Sequence, residues 1–282
     1  TVNLFENEVA NKIGSKFAVA HNSATSALHT ACLALGLGKD DLIWTSPITF
    51  VASANCGLYC GANVDFVDID INSGLMNIDS LNNKLQIAEK EGKLPKIVIP
   101  VHLGGASCDM NSISKLSKKY GFSIIEDASH AIGGKYNSKP VGCCEYSDIT
   151  VFSFHPVKII TTGEGGIATT QNPELAKRMK EFSSHGITKD TSRFIEEAAG
   201  PWSYEQQVLG FNYRMTDIQA ALGLSQLRRL DEIVDERNRL RYRYEELLTH
   251  DNIALLEIPK NTESAVHLAV VRFKTITKEK HR

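Results

Sequence analysis

Lys158 stands alone among apolar, hydroxyl and glycine residues, in the run Val151-Phe152-Ser153-Phe154-His155-Pro156-Val157-Lys158-Ile159-Ile160-Thr161-Thr162-Gly163-Glu164-Gly165-Gly166. An amine in such surroundings can be partly desolvated, which lowers its pKa and makes it nucleophilic toward an aldehyde. The plainer reading is a solvated lysine near a turn. The glycine-rich tail has neither GxGxxG nor Walker spacing, so no dinucleotide or P-loop site is predicted there. A second run, Ile124-Ile125-Glu126-Asp127-Ala128-Ser129-His130, is an apolar strand that delivers carboxylates at its end. In open α/β sheets ligands bind at the carboxyl ends of strands. Asp127 there can accept a hydrogen bond from a protonated ring nitrogen and keep that ring electron-withdrawing; helix capping and metal ligation are its other uses. In a third run, Asn22-Ser23-Ala24-Thr25-Ser26-Ala27-Leu28, small hydroxylated residues follow a strand and open a helix. Free backbone N–H groups and the helix dipole favour a phosphate there by roughly 0.3–2 kcal/mol, although a ligand-free N-cap cluster has the same composition.

The elements that must position these residues alternate along the chain. Short β-rich runs at Phe17 to Ala20, Leu42 to Thr45, Val64 to Val67, Lys96 to Val101, Phe122 to Glu126 and Ile149 to Phe154 read as strands, with a further one at Gly166 to Thr170. Nearly continuous apolar runs suit strands buried on both faces. Helices at about Thr25 to Leu35, Thr49 to Tyr59 and Met110 to Tyr120 supply the covering layers, so the expected architecture is a three-layer α/β sandwich. Pro173 starts another helix. Residues 183–210 look irregular and long for a passive connection. Helices follow from about Thr216 to Leu230 and Asp231 to Leu248, then a β-like run from Val266 to Phe273. The arginines of the last helix interleave with acids, which predicts a solvated, ion-paired surface rather than a nucleic-acid face.

Bulk properties set the outer limits. With 282 residues, 42% hydrophobic and 23% charged, the chain can bury a large core without metal or disulfide staples, as one large domain plus part of another. Thirty-one Lys and Arg against 33 Asp and Glu give a net charge of -2, which predicts no nucleic-acid or anionic-membrane partner. Apolar runs fall far short of the roughly 20 residues of a membrane-spanning helix, and no secretory h-region opens the chain. Cys32, Cys56, Cys60, Cys108, Cys143 and Cys144 match no zinc template and read as free thiols, so no metal site and a cytoplasmic location are expected.

Taken in order, these motifs resemble the DegT/DnrJ/EryC1/StrS sugar aminotransferases over nearly the whole chain. That family has a Ser-Gly-Thr type turn, a Glu-Asp-x-x-His/Gln strand end, a Ser-Phe segment reaching a lysine ahead of Gly-Glu-Gly-Gly, and an Asn-Tyr-Arg-Met segment. Here these are Ser23-Ala24-Thr25, Glu126 to His130, Ser153 to Lys158 with Gly163 to Gly166, and Asn212-Tyr213-Arg214-Met215. Alanine in the turn, Ser153-Phe154-His155 and Gly200-Pro201-Trp202 are similar to the family branch that acts in pseudaminic acid biosynthesis.

The resemblance implies an α/β fold of the aspartate aminotransferase type (fold type I). A large domain, residues 1–230, would bind pyridoxal 5'-phosphate (PLP), and residues 231–282 would open a truncated smaller domain. Lys158 would carry the cofactor covalently and shuttle the proton between substrate and cofactor carbons, and Asp127 would pair with the ring nitrogen. His130 resembles the partner of the ring hydroxyl; Ala24, Thr25 and Ser153 resemble phosphate contacts. Asn212 would reach the phosphate from a neighbouring subunit, which makes a homodimer with shared sites. Phe50 is either the aromatic residue stacked on the ring or a core residue. His155 and His185 are substrate contacts or local hydrogen-bonding residues, and Arg214 meets an anion or braces the interface. The implied reaction is PLP-dependent transamination of a UDP-linked 4-keto-6-deoxy-hexose with L-glutamate as donor. Alternatives are another nucleotide-linked 4-amino-4,6-dideoxyhexose pathway, or a non-catalytic PLP-binding regulatory homologue. Related dehydratases replace the lysine by histidine, which Lys158 argues against. Lys39-Asp40-Asp41-Leu42 departs from the family's Gly-Asp-Glu, and family members carry further residues before Thr1 and after Arg282.

Overall fold

Seven strands form one sheet: β1 (Phe17–His21), β2 (Leu42–Thr45), β3 (Asn63–Phe66), β4 (Ile97–Ile99), β5 (Ser123–Asp127), β6 (Ile149–Ser153) and β7 (Gly166–Thr170). Their spatial order is β1-β7-β6-β5-β4-β2-β3 in a computed structural model that describes residues 1–273. Strands β2 to β6 are parallel. Strand β7 runs antiparallel between β6 and β1, because it returns directly from the end of β6 instead of crossing over through a helix.

Eight helices flank or follow the sheet among the described residues: α1 (Val2–Ile13), α2 (Ala24–Ala34), α3 (Ala52–Tyr59), α4 (Ile78–Glu91), α5 (Met110–Tyr120), α6 (Pro173–Ser183), α7 (Asp217–Leu227) and α8 (Leu230–Leu247). Alternation along each strand sorts its side chains between two cores. In β4, Ile97 and Ile99 join the core built with Leu28, Ala31, Cys56 and Met179 of α2, α3 and α6. Val98 points the other way, toward Leu81, Leu85, Met110 and Ile113 of α4 and α5. Phe152 and Ile167 face Phe5, Val9 and Ala220 of α1 and α7 on that same second side. The expected three-layer sandwich is therefore the observed one.

The differences are local and have causes. Helices α1 and α4 were not anticipated, although Phe5-Val9-Ile13 and Leu81-Leu85-Ala88 mark one buried face each. The run from Lys96 to Val101 shortens to Ile97–Ile99, since Pro100 has no N–H for the ladder. The helix expected from Thr49 begins at Ala52. Of the run Val266 to Phe273 only Val271–Phe273 is a strand, paired with Ile253–Leu255. Val266 sits at φ 43, and the His267 N–H donates to the Gly104 carbonyl at 2.8 Å, which holds this part as a loop. Helix α8 carries surface pairs such as Arg239 to Glu236, but Arg241 is buried and donates to the Leu256 carbonyl at 2.8 Å, so its face is not wholly solvated. Among the described residues no helix is long and apolar enough to cross a membrane.

Candidate active site

A cavity of about 350 Å³ opens beyond the carboxyl ends of β5 and β6, next to the amino end of α2. Ala24, Thr25, Phe50, Asp127, His130, Ser153 and Lys158 all line it, so residues far apart in the chain converge on one space. A wider groove of about 1330 Å³ runs along α8 and contains none of them. We place the chemistry in the smaller cavity because the amine, carboxylate and imidazole meet there.

At one end, Ser23 caps α2, its Oγ accepting the Ser26 N–H at 3.1 Å. The N–H groups of Ala24 and Thr25 in that first turn have no intrahelical acceptor, as in any α-helix. Gly166 explains how β7 comes so close: a Cβ there would lie 2.4 Å from the Ala24 nitrogen and 2.6 Å from its Cα. Gly165 is similarly tight, against Thr162 Oγ1. Gly166 thus serves close packing of backbone on backbone, and Gly165 close packing against the Thr162 and Met215 side chains. Together with Ser153, buried at the end of β6, this turn is a small neutral cradle for a dianion.

In the middle, period-two alternation separates the two acids of β5. Glu126 turns away from the cavity: His102 Nε2 meets its Oε2 at 2.7 Å, and Ser147 and the Thr150 hydroxyl (2.9 Å) donate to its Oε1. Burial pushes the Glu126 carboxyl up, but these donors outweigh it and hold the group below its ordinary value. Asp127 faces the cavity, 4% exposed, with Ser53 donating to Oδ2 at 2.6 Å and the Ser129 N–H to Oδ1 at 3.1 Å. Its backbone is locked as well, its N–H bonded to the Pro100 carbonyl and its carbonyl to the His102 N–H.

His130 accepts the Gly104 N–H at Nδ1 (3.3 Å), which assigns the ring proton to Nε2. Burial, reinforced by the charge of Lys158, pushes His130 down to about 4, so the imidazole is neutral at neutral pH. His267 packs against it with ring centroids 4.5 Å apart and is pushed down to about 3, first by burial and then by His130, Lys158 and Arg237.

Lys158 lies in the connection between β6 and β7, which is clasped by Phe154 N–H to Gly165 O (2.9 Å) and Thr162 N–H to Phe154 O (3.0 Å). Burial lowers its amine below the usual lysine value, and the charge of Asp127 opposes that shift. Phe50 is 70% exposed, hence not a core residue. His155 also lines the cavity, its Nε2 3.7 Å from Glu164 Oε1.

The remaining sequence candidates lie outside the cavity. Asn212 is exposed and bridged to Ser184. His185 bonds through its backbone to Phe211, and Arg214 donates to Ser184 Oγ at 3.0 Å, a bracing contact. Sequence reasoning did not identify Ser53, Thr49, His102 or His267 as part of this region.

A cradle for a dianion, a carboxylate placed for a ring nitrogen, a neutral imidazole donor and a desolvated amine in one cavity fit pyridoxal phosphate. The family model for the DegT/DnrJ/EryC1/StrS aminotransferases matches residues 1–282. The chain belongs to the DegT/DnrJ/EryC1/StrS aminotransferase family. Members are PLP-dependent nucleotide-sugar aminotransferases, and the mixed seven-stranded sheet is that of fold type I. The chain is 40% identical over 268 residues to a UDP-4-amino-4,6-dideoxy-N-acetyl-beta-L-altrosamine transaminase of Campylobacter jejuni subsp. jejuni, covering 95% of this chain and 67% of that one. Among solved structures, Helicobacter pylori PseC, an aminotransferase involved in the biosynthesis of pseudoaminic acid, superposes with a TM-score of 0.84 at 33% identity, over 97% of this chain and 70% of that one. The PLP form of the putative sugar aminotransferase Spr1654 from Streptococcus pneumoniae gives 0.84 at 28% identity, over 99% and 72%. The chain thus spans about two thirds of the length of the curated relative.

Proposed function

We propose that this chain carries the cofactor half of an enzyme that transfers an amino group from L-glutamate to a UDP-linked 4-keto-6-deoxy-hexose, in pseudaminic acid biosynthesis. The observation that carries the reading is that Lys158, Asp127 and His130 share one cavity with the amino end of α2. When bound, pyridoxal phosphate supplies an aldehyde that bonds amines and a ring that withdraws electrons from the adjacent carbon.

Each residue then has a task. The N–H groups of Ala24 and Thr25 and the Ser153 hydroxyl hold the phosphate. Asp127 would keep the ring nitrogen protonated, and His130 would donate its Nε2 proton to the ring hydroxyl. Phe50 covers one face of the ring. Lys158 would hold the cofactor, and its free amine would carry the proton that amino transfer requires to be moved. A lowered amine pKa suits this, since a larger fraction is unprotonated at working pH. Residues 1–230 contain the whole sheet and cavity, which supports a cofactor-binding domain there and the opening of a smaller one from 231.

Ile48, Phe50 and Val51 are more than half exposed near the cavity, a surface suited to a second subunit. Exposed Asn212 would then serve the partner's phosphate site. The substrate assignment draws on the transaminase activity of the Campylobacter jejuni relative. The test is Lys158→Ala in the full-length protein: it should fold, but lose the visible absorption of bound cofactor and all turnover. Retained activity would overturn the reading. Assays with glutamate and a panel of UDP-keto-sugars decide the sugar.

A further inference from the structure

Behind the cavity wall a chain of two hydroxyls ends on Asp127. Thr49 Oγ1 lies 2.8 Å from Ser53 Oγ, and Ser53 Oγ lies 2.6 Å from Asp127 Oδ2. Ser53 is fully buried in the first turn of α3, outside the cavity lining, whereas Thr49 is part of that lining. The single Ser53 proton has three acceptors within reach, the carboxylate at 2.6 Å, Thr49 Oγ1 at 2.8 Å and the Phe50 carbonyl at 3.2 Å. A short bond to a charged oxygen is roughly twice as strong as one to a neutral hydroxyl or carbonyl, so the proton goes to Asp127. Thr49 must then donate to the lone pair of Ser53. The chain is therefore directional, from the cavity wall through Ser53 to the carboxylate.

We propose that Ser53 is a positioning residue that, supported by Thr49, fixes the carboxylate of Asp127 so that a free lone pair faces the cofactor's ring nitrogen. This rests on the reading of Asp127 given above. A carboxylate has about four acceptor sites. Ser53 takes one on Oδ2 and the Ser129 N–H takes one on Oδ1, so the two oxygens are held from two directions and the group cannot turn about its last bond. Without Ser53, the Ser129 contact at 3.1 Å is the hydrogen bond left among the described residues to restrain that rotation. The ring nitrogen's proton is then held less firmly, and the ring withdraws electrons less well. Ser53 does not line the cavity, so the effect falls on the chemical step rather than on substrate capture.

The experiment compares Ser53→Ala, Thr49→Val, the double variant and Asp127→Ala in the full-length holoenzyme. Ser53→Ala should retain bound cofactor but move the pH midpoint of its visible absorption by about one unit. Its kcat should fall about tenfold, with the KM for glutamate within about twofold of wild type. Thr49→Val should move the midpoint less, and should add nothing once Ser53 is alanine, since the chain is already cut. Asp127→Ala should abolish turnover. Ser53→Ala with wild-type midpoint and kcat, beside an inactive Asp127→Ala, overturns this proposal and leaves the role of Asp127 standing. So does a Ser53→Ala protein that only melts earlier in its cofactor-free form. An active Asp127→Ala overturns the reading beneath it.

Discussion

Replacing Gly166 by alanine tests whether the cradle at the amino end of α2 depends on backbone proximity. A Cβ at this position would meet the Ala24 nitrogen at 2.4 Å, with Ala24 Cα and the Ser23 carbonyl carbon at 2.6 Å. All three atoms are backbone, so no side chain can swing aside. To reach the 3.4 Å of ordinary contact, strand and helix must part by about 1 Å. Gly166 is paired on both sides, with Ser153 and with His21, so the displacement disturbs the phosphate end of the cavity from two directions. Overpacking of this kind costs about 1–3 kcal/mol, which lowers the melting temperature of the cofactor-free protein by roughly 2–10 °C. A phosphate bond stretched from about 2.8 to 3.8 Å is no longer a hydrogen bond. Losing one charge-assisted bond, about 1.5–3 kcal/mol, weakens cofactor binding about 10- to 100-fold. Titrating the cofactor-free variant with pyridoxal phosphate, read by absorbance, measures this. Gly38→Ala is the control, since a Cβ there meets only Asp41 Oδ2 at 4.0 Å. A Gly166→Ala protein whose affinity and melting match those of Gly38→Ala would refute the reasoning.

Two further outcomes are expected. His21, His130 and His267 are pushed down to about 4, 4 and 3, each chiefly by burial, so between those values and 6.5 the unfolded chain binds more protons than the folded one. Stability of the cofactor-free protein should therefore fall as pH drops from 6.5 toward 4, and His130→Gln should flatten that slope in urea titrations across the window; an unchanged slope would contradict the buried neutral state of His130. If Asn212 serves the partner's site, mixing inactive Lys158→Ala with impaired Asn212→Ala protein should restore about one quarter of wild-type turnover, since about half the dimers are mixed and each has one intact site. No recovery on mixing would argue against shared sites.

The parts of the site that depend on local chemistry were legible in the chain. Asp127 stands at the end of a strand, Ala24-Thr25 at the start of a helix and Lys158 in the turn-rich run after a strand, and local pattern reveals such places. The pattern also gave the two-faced burial of β4 to β6. What was not legible depends on partners distant in sequence. Ser53 matters because it meets Asp127, 74 positions away, and His102 because it meets Glu126 across the sheet. Neither has a local mark that separates it from an ordinary serine in a helix or histidine after a strand. Gly166 reads as part of a glycine-rich turn, and only the approach of α2 shows what its missing side chain allows. For Phe50 the chain leaves core and cavity equally open, and its exposure excludes the core. The overlong strand at 266–273 had the right composition, but contact with the turn at 103–105 overrode it.

The clasped connection between β6 and β7 has a wider meaning. Its two backbone bonds join Phe154 to Thr162 and Gly165, and Thr161 Oγ1 adds a third link to the Phe154 carbonyl at 2.9 Å, while Gln219 Nε2 donates to the Glu164 carbonyl at 2.9 Å and Ile159 and Ile160 are sunk in the core. The amine is thus mounted on a bracket fastened both within itself and to the body of the domain, and the carboxylate opposite is aimed by other elements. The group at the tip of such a bracket can be exchanged without retooling the frame around it, so one scaffold can host different reactions by changing a single side chain.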